Sequence, residues 1–215
     1  MQYTAAKCNC SIYNIRWFME DIYLFLNSFS FNWSTIEILA VLLSIIYVVL
    51  AAKKNIWCWF FSSISVILYI YICFTSLLYA ETALQLFYLF MSGYGFYNWK
   101  SQKKNQLEKW KASKHLLIIF ICGILTFFLG FYLSLYTKAE VPIIDSFTTI
   151  FSIVATYMVT KQILENWIYW VIIDLTSVYI YFNRDLHLTS LLFVLYAVIA
   201  VFGYFSWLKS ERVNV

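Results

Sequence analysis

Three sets of polar and aromatic residues recur at helical spacing inside stretches that are otherwise apolar. Asn166, Trp170, Asp174, Ser177 and Tyr181 follow at steps of four, four, three and four, which lines them along one helix face, with Trp167 beside them. Glu81, Gln85, Tyr88, Ser92, Gly95 and Trp99 trace a second stripe, and Glu37, Ser44 and Tyr47 a third. Asp174 carries the sharpest chemistry. An unpaired carboxylate at mid-membrane depth costs on the order of several kcal/mol. No Lys or Arg lies at comparable depth in any apolar stretch. Asp174 therefore needs hydroxyl or amide donors, water, a proton or a bound cation. Aromatic faces beside a carboxylate suit a flat, positively charged ring, held by stacking and cation–π attraction worth about 0.5 to 2 kcal/mol per contact. Trp57, Trp99 and Trp207 lie at the ends of their stretches and read as interfacial belt residues.

The elements that must position these residues are membrane spans. Of 215 residues, 63% are hydrophobic and 12% charged, and the mean hydropathy is +0.74, far from the composition of a soluble domain. A soluble enzyme, a large ectodomain and a nucleotide-binding module are excluded. A spanning helix takes about 20 residues, and apolar runs of roughly that length fall at 33–52, 56–74, 78–99, 115–136, 143–160, 167–182 and 188–208. Transmembrane strands would alternate apolar and polar residues, whereas 36–50 is apolar on nearly all sides. The expected fold is all-α with seven transmembrane helices. Residues 1–32 are less apolar, with Ile15, Phe18, Ile22, Phe25 and Phe29 at helical spacing, and read as an extracytoplasmic tail with an interfacial amphipathic helix.

The loop after the third span carries Lys100, Lys103, Lys104, Lys109, Lys111 and Lys114 against the single acid Glu108. The positive-inside rule places it in the cytoplasm, which sets the N-terminus outside and the C-terminus inside. The net charge of +4 thus reports orientation, and nucleic acid is not an expected partner. Cys58, Cys73 and Cys122 lie within spans as small apolar residues. Cys8 and Cys10 have no nearby ligands to complete a metal site. Neither a metal nor a cofactor is expected.

The chain also resembles itself at an offset of 108 residues. Tyr88 aligns with Tyr196, Gly95 with Gly203, Phe96 with Tyr204, Trp99 with Trp207, Ser44 with Ser152 and Lys53 with Lys161, and Trp57 meets Trp167 if a two-residue insertion is allowed. The repeat pairs spans 1 to 3 with spans 5 to 7. An odd number of helices per half makes the fourth span a linker that restores parallel orientation, as in the sugar-carrying SWEET proteins. The expected division is a first bundle at 33–99, a lysine-rich loop and linker helix at 100–142, a second bundle at 143–208 and a cytoplasmic tail at 209–215.

The segment Glu165-Asn166-Trp167-Ile168-Tyr169-Trp170, with its N-W-x-x-W core, resembles the signature of the PnuC family of bacterial vitamin transporters. The resemblance extends through Asp145-Ser146-Phe147 and Ser152-Ile153-Val154-Ala155, through Tyr94-Gly95-Phe96-Tyr97-Asn98-Trp99, and back to Trp33-Ser34-Thr35-Ile36-Glu37. Phe96 stands where the family pattern has tryptophan, and Asp174 where some members have asparagine. The resemblance implies a seven-helix, SWEET-like carrier that takes up nicotinamide riboside, with thiamine or riboflavin carried by relatives. It implies a substrate site at Trp167, Trp170, Asn166, Gln85 and Tyr88, to which the α-helical stripe adds Asp174 and Ser177. It also implies facilitated diffusion, with a cytoplasmic kinase trapping the substrate. The expected partners are thus a small cationic vitamin or nucleoside and the lipid bilayer. A homo-oligomer is compatible with the sequence, which is silent on oligomeric state. An intramembrane enzyme using Asp174 with Glu81 or Asp145 would need acids within hydrogen-bond reach, and these lie at different depths.

A cysteine placed at Asn105 should react with a membrane-impermeant maleimide only after cells are opened. Labelling in intact spheroplasts would reverse the orientation.

Overall fold

The computed structural model describes residues 35–75, 79–101, 107–137, 141–184 and 186–212, and among them the chain forms seven helices. They are α1 (Thr35–Ala52), α2 (Cys58–Thr75), α3 (Tyr79–Ser101), α4 (Ala112–Tyr136), α5 (Pro142–Thr160), α6 (Asn166–Asn183) and α7 (His187–Arg212). Each lies within a few residues of its apolar stretch. The amphipathic helix expected in 1–32 falls outside the described residues. By length and composition α1, α2, α4, α5 and most of α7 are apolar enough to cross a membrane. α3 and α6 fall short of that mark because they carry the polar stripes, Glu81 to Ser92 on one and Asn166 to Ser177 on the other. Their opposite faces are greasy: Leu86, Phe90 and Tyr97 on α3, and Ile168, Ile172, Leu175 and Phe182 on α6, are exposed. Such a surface is stable against lipid and not against water.

Helix packing closes a ring. α1 touches α2, α2 touches α3, α3 touches α5, α5 touches α6, α6 touches α7, and α7 returns to α1. Among the described residues no two helices facing each other across the ring approach this closely. α4 lies outside against α5, and reaches α6 through a 3.0 Å bond between His115 Nδ1 and the Tyr169 hydroxyl. Exchanging α1, α2 and α3 for α5, α6 and α7 maps the ring onto itself, with the α1/α7 seam becoming the α5/α3 seam.

The exchange holds atom by atom. α1 and α5 both end in a left-handed residue, Lys54 at φ 52° and Gln162 at φ 53°. In each corner two backbone bonds follow the Schellman pattern. Lys54 N donates to Ala51 O (2.9 Å) and Asn55 N to Leu50 O (3.0 Å); Gln162 N donates to Val159 O (3.0 Å) and Ile163 N to Met158 O (3.0 Å). The remaining lone pair of each innermost carbonyl is taken by the other half. Trp207 Nε1 donates to Ala51 O at 3.0 Å and Trp99 Nε1 to Val159 O at 3.1 Å. Deeper in the ring the Tyr88 and Ser152 hydroxyls pair at 2.8 Å, and Tyr196 and Ser44 make the equivalent bond.

Two expectations are corrected here. The partner of Trp167 in the repeat is Trp59, at the same offset of 108 and without an insertion; Trp57 is 61% exposed at the corner. Trp99 and Trp207 are not belt residues. They are 8% and 0% exposed, and with Trp59 and Trp167 they form a four-ring clasp. Trp59 meets Trp99 edge-on at 5.3 Å, Trp167 meets Trp207 edge-on at 5.4 Å, and Trp99 meets Trp207 at 6.0 Å. Because α3 and α7 are not neighbours in the ring, that last contact crosses its lumen at the lysine-rich end. Gly95 and Gly203 make the clasp possible: a Cβ at either would overlap the ring of Trp59 or Trp167.

Gly95→Ala and Gly203→Ala should each therefore lower stability by about 1 to 3 kcal/mol through overpacking. Gly93→Ala and Gly123→Ala, with nothing within 4 Å of the new methyl, should be neutral or gain up to about 1 kcal/mol of helix propensity. Thermal unfolding of the four variants in detergent checks this, and equal shifts would contradict the packing.

Candidate functional site

α6 turns its polar stripe toward protein. Asn166, Trp167, Asp174 and Ser177 are buried while Ile168, Ile172, Leu175 and Tyr179 are exposed, as the 3.6-residue period requires. Each stripe residue spends its hydrogen bonds differently. Asn166 donates from Nδ2 to Ile163 O at 2.6 Å and so ties the first turn of α6 to the corner before it. Its Oδ1 is buried with no hydrogen-bond partner among the described residues. Ser177 donates back to Ile173 O at 3.0 Å within its own helix, an ordinary way for a serine to sit in a membrane helix. Trp170 is half-buried and packs against two apolar clusters, one around the clasp and one around Phe151, Met158 and Tyr169.

Asp174 is 4% exposed, one turn deeper than Trp170. It lies within electrostatic reach of Tyr196 on α7. Asp145, at the far end of α5 and α6, has its carboxylate bonded by Arg184 at 3.0 Å. Among the described residues no group of three His, Cys, Asp or Glu is placed to hold a metal ion.

Across the ring, α3 presents half-buried Gln85 and Tyr88, the latter joined to Ser152 of α5. The backbones of α3 and α6 do not come close, which sets Gln85 and Tyr88 on one helix of the ring and Asn166, Trp170 and Asp174 on another. They occupy separate walls of one ring. Trp167 is placed apart from this set, its indole stacked over Gly203 and edge-on to Trp207.

Tyr196 and Ser152 escaped the sequence reading as site candidates, while Ser44 belonged to its third stripe. Tyr196 pairs with Ser44 and Tyr88 with Ser152 in the hydroxyl bonds that span the seams. The signal was present, because the 108-residue offset carries Tyr88 to Tyr196 and Ser44 to Ser152.

Residues 34–209 match the family described as nicotinamide mononucleotide transporter. The chain is 29% identical over 211 residues to the nicotinamide riboside transporter PnuC of Escherichia coli (strain K12), across 85% of this chain and 88% of that protein. It is 27% identical over 187 residues to the nicotinamide riboside transporter PnuC of Neisseria mucosa, across 79% of this chain and 70% of that one. A solved structure, the crystal structure of the vitamin B3 transporter PnuC, shares the fold with a TM-score of 0.70 at 23% identity, over 94% of this chain and 93% of that one. Matched along most of its length by the family and by these relatives, this multi-pass membrane protein belongs to the nicotinamide mononucleotide transporter family.

Proposed function

We propose that the chain is a carrier that brings nicotinamide riboside across the bacterial inner membrane by alternating access and facilitated diffusion, with its N-terminus outside and its C-terminus in the cytoplasm. The observation that carries the substrate reading is Asp174, a carboxylate 4% exposed on the ring-facing side of α6. Its stripe neighbour is Trp170, and no Lys or Arg occurs in the surrounding spans at its depth. A pyridinium ring would supply the missing positive charge and stack on the indole. The ribose hydroxyls would then find Gln85, Tyr88, Asn166 and Ser177 within the same ring. Thiamine, whose thiazolium is also cationic, is the second reading, on the same carboxylate.

The self-mapping contact pattern supports a SWEET-like pair of parallel three-helix bundles, 33–99 and 143–208, with 100–142 as loop and linker helix. It also supports seven crossings, since the two helices of lower hydropathy are members of the same closed ring and bear apolar outer faces. Downhill transport gains direction if a cytoplasmic kinase phosphorylates the riboside. A phosphate adds up to about two negative charges, which Asp174 would repel and no interior base would offset.

Asp174→Asn tests the electrostatic part alone. A unit pair about 5 Å apart at an effective dielectric near 20 interacts by roughly 3 kcal/mol, and desolvation offsets much of that. The variant should lose about 1 to 2 kcal/mol, or 5- to 30-fold in affinity, for the cationic riboside, and almost nothing for an isostere with an uncharged ring. Equal loss for both ligands would remove Asp174 from the site.

Trp170→Ala should weaken riboside binding by about 1 to 3 kcal/mol, whereas Trp207→Ala should lower stability more than affinity. Binding isotherms and melting curves of the two variants separate these effects. Uptake of nicotinamide mononucleotide at the rate of the riboside would contradict the charge argument.

A further inference from the structure

The segment that leads into α4 is docked on the corner between α5 and α6. Glu108 N donates to Gln162 O at 3.2 Å and Leu164 N donates to Glu108 O at 3.1 Å. Trp110 and His115 are thereby carried to the side of α6 that faces α4, where aromatic rings stand in a row. The ring centres of Trp110 and His115 are 5.5 Å apart, those of His115 and Tyr169 5.8 Å, those of Tyr169 and Phe151 6.3 Å, and those of Phe151 and Phe147 4.4 Å. Inside this row lies a polar contact, the 3.0 Å bond between His115 Nδ1 and the Tyr169 hydroxyl. Cys122, Met158 and Ile173 belong to the same buried apolar cluster as Tyr169. Tyr169 is 8% exposed, so a hydroxyl that lost its imidazole would find little water in exchange.

Tyr169 and Trp170 are neighbours on α6, and the bond to one bears on the other. Tyr169 and Ile173, four residues apart, pack in the cluster shared with α4 and α5. Trp170 lies about 100° further round the helix, on the stripe with Asn166 and Asp174. Its indole packs against that cluster on one side and against the clasp on the other. The rotation of α6 about its own axis therefore decides where the indole points. At the end of α6 far from the clasp, that rotation is set by Arg184, bonded to Asp145 of α5 at 3.0 Å, and by Ser190 of α7, which donates to Val178 O at 3.2 Å. At the end near the clasp it is set by the bond from Tyr169 to His115.

The repeat supplies an independent sign. In the first half the equivalents of Tyr169 and Trp170 are Phe61 and Ser62. α4 is the helix left over when the halves are matched, and it packs on the second half. The hydroxyl that α4 holds and the indole beside it thus occur together, on the half that the linker helix backs.

We propose that α4 is a brace behind the substrate site, with His115 a positioning residue: through Tyr169 it holds α6 in the rotation that turns Trp170 toward the cationic ring of the cargo. This rests on the carrier reading above. The linker helix then does more than restore parallel orientation, because it preorganises the stacking face before the cargo arrives.

The full-length protein in detergent is titrated with nicotinamide riboside and melted in parallel. Tyr169→Phe, which keeps the ring and removes the hydroxyl, and His115→Leu should each weaken binding about 3- to 10-fold, the range of one hydrogen bond. His115→Asn, whose amide stands near the place of Nδ1, should stay within about twofold of wild type. In a Trp170→Ala background, Tyr169→Phe should cost less than about twofold more, because the indole it aims is gone. A bond that served stability alone would lower the melting temperature and leave affinity, or its dependence on Trp170, unmoved. Unchanged affinity in Tyr169→Phe, or the same loss with and without Trp170, overturns the brace and leaves the site reading in place. Unchanged affinity in Trp170→Ala overturns that reading and the brace with it. Tyr169→Phe preserves the row of rings, so the comparison holds even if His115→Leu folds poorly.

Discussion

The structure depends on two indole-to-carbonyl bonds, from Trp207 to Ala51 and from Trp99 to Val159. Lipid offers no hydrogen-bond partners, so polar groups in and near the membrane must be satisfied by protein. The last turns of α1 and α5 leave carbonyl lone pairs that their own Schellman corners do not use up. Each is taken by the half that did not make it. The bonds therefore join the two bundles at both seams, and they require the close approach that Gly95 and Gly203 permit. Everything inward of the clasp, including the Tyr88 to Ser152 and Tyr196 to Ser44 pairs, inherits its register from this end.

Upon that symmetric frame the polar chemistry is one-sided. The repeat equivalents of Asp174, Asn166 and Trp170 are Val66, Cys58 and Ser62, so charge, amide and indole face are gathered on α6, and α2 contributes small and apolar residues. Duplication supplied a ring with a lumen, and divergence of a single helix gave the lumen a sign. On the proposed reading, a carboxylate wall opposite amide and phenol groups would take a cationic ring with hydroxyl substituents. The same reading would disfavour an anionic phosphate ester, and on this ground we propose the riboside rather than the mononucleotide.

Most of the frame was legible in the sequence because hydropathy and helical period act locally. The apolar stretches foretold seven helices to within a few residues, and the spacing from Asn166 to Ser177 foretold which face of α6 is buried. The repeat was legible too, but its register slipped at the corner. Trp57 and Trp59 are two residues apart, and although the constant offset of 108 favours Trp59, packing shows directly that it is the one that turns inward over Gly95. The belt reading of Trp99 and Trp207 failed for a related reason. A tryptophan at the end of a span has the same sequence signature whether its N–H points to lipid headgroups or to a carbonyl on another helix. The seam bonds join residues 60 to 156 positions apart, beyond the reach of any local pattern. Glu108, which looks like a lone acid in a basic loop, matters here through its backbone, to which side-chain type is a poor guide.

The central claim is that this ring is a passage for a cationic nucleoside and needs no energy source of its own. Uptake of radiolabelled nicotinamide riboside into liposomes containing only this protein tests it most directly. The account predicts uptake that levels at the external concentration without nucleotide or ion gradient, and that accelerates when unlabelled riboside is preloaded inside. No uptake by folded protein, or uptake that appears only under an imposed ion gradient, would contradict it.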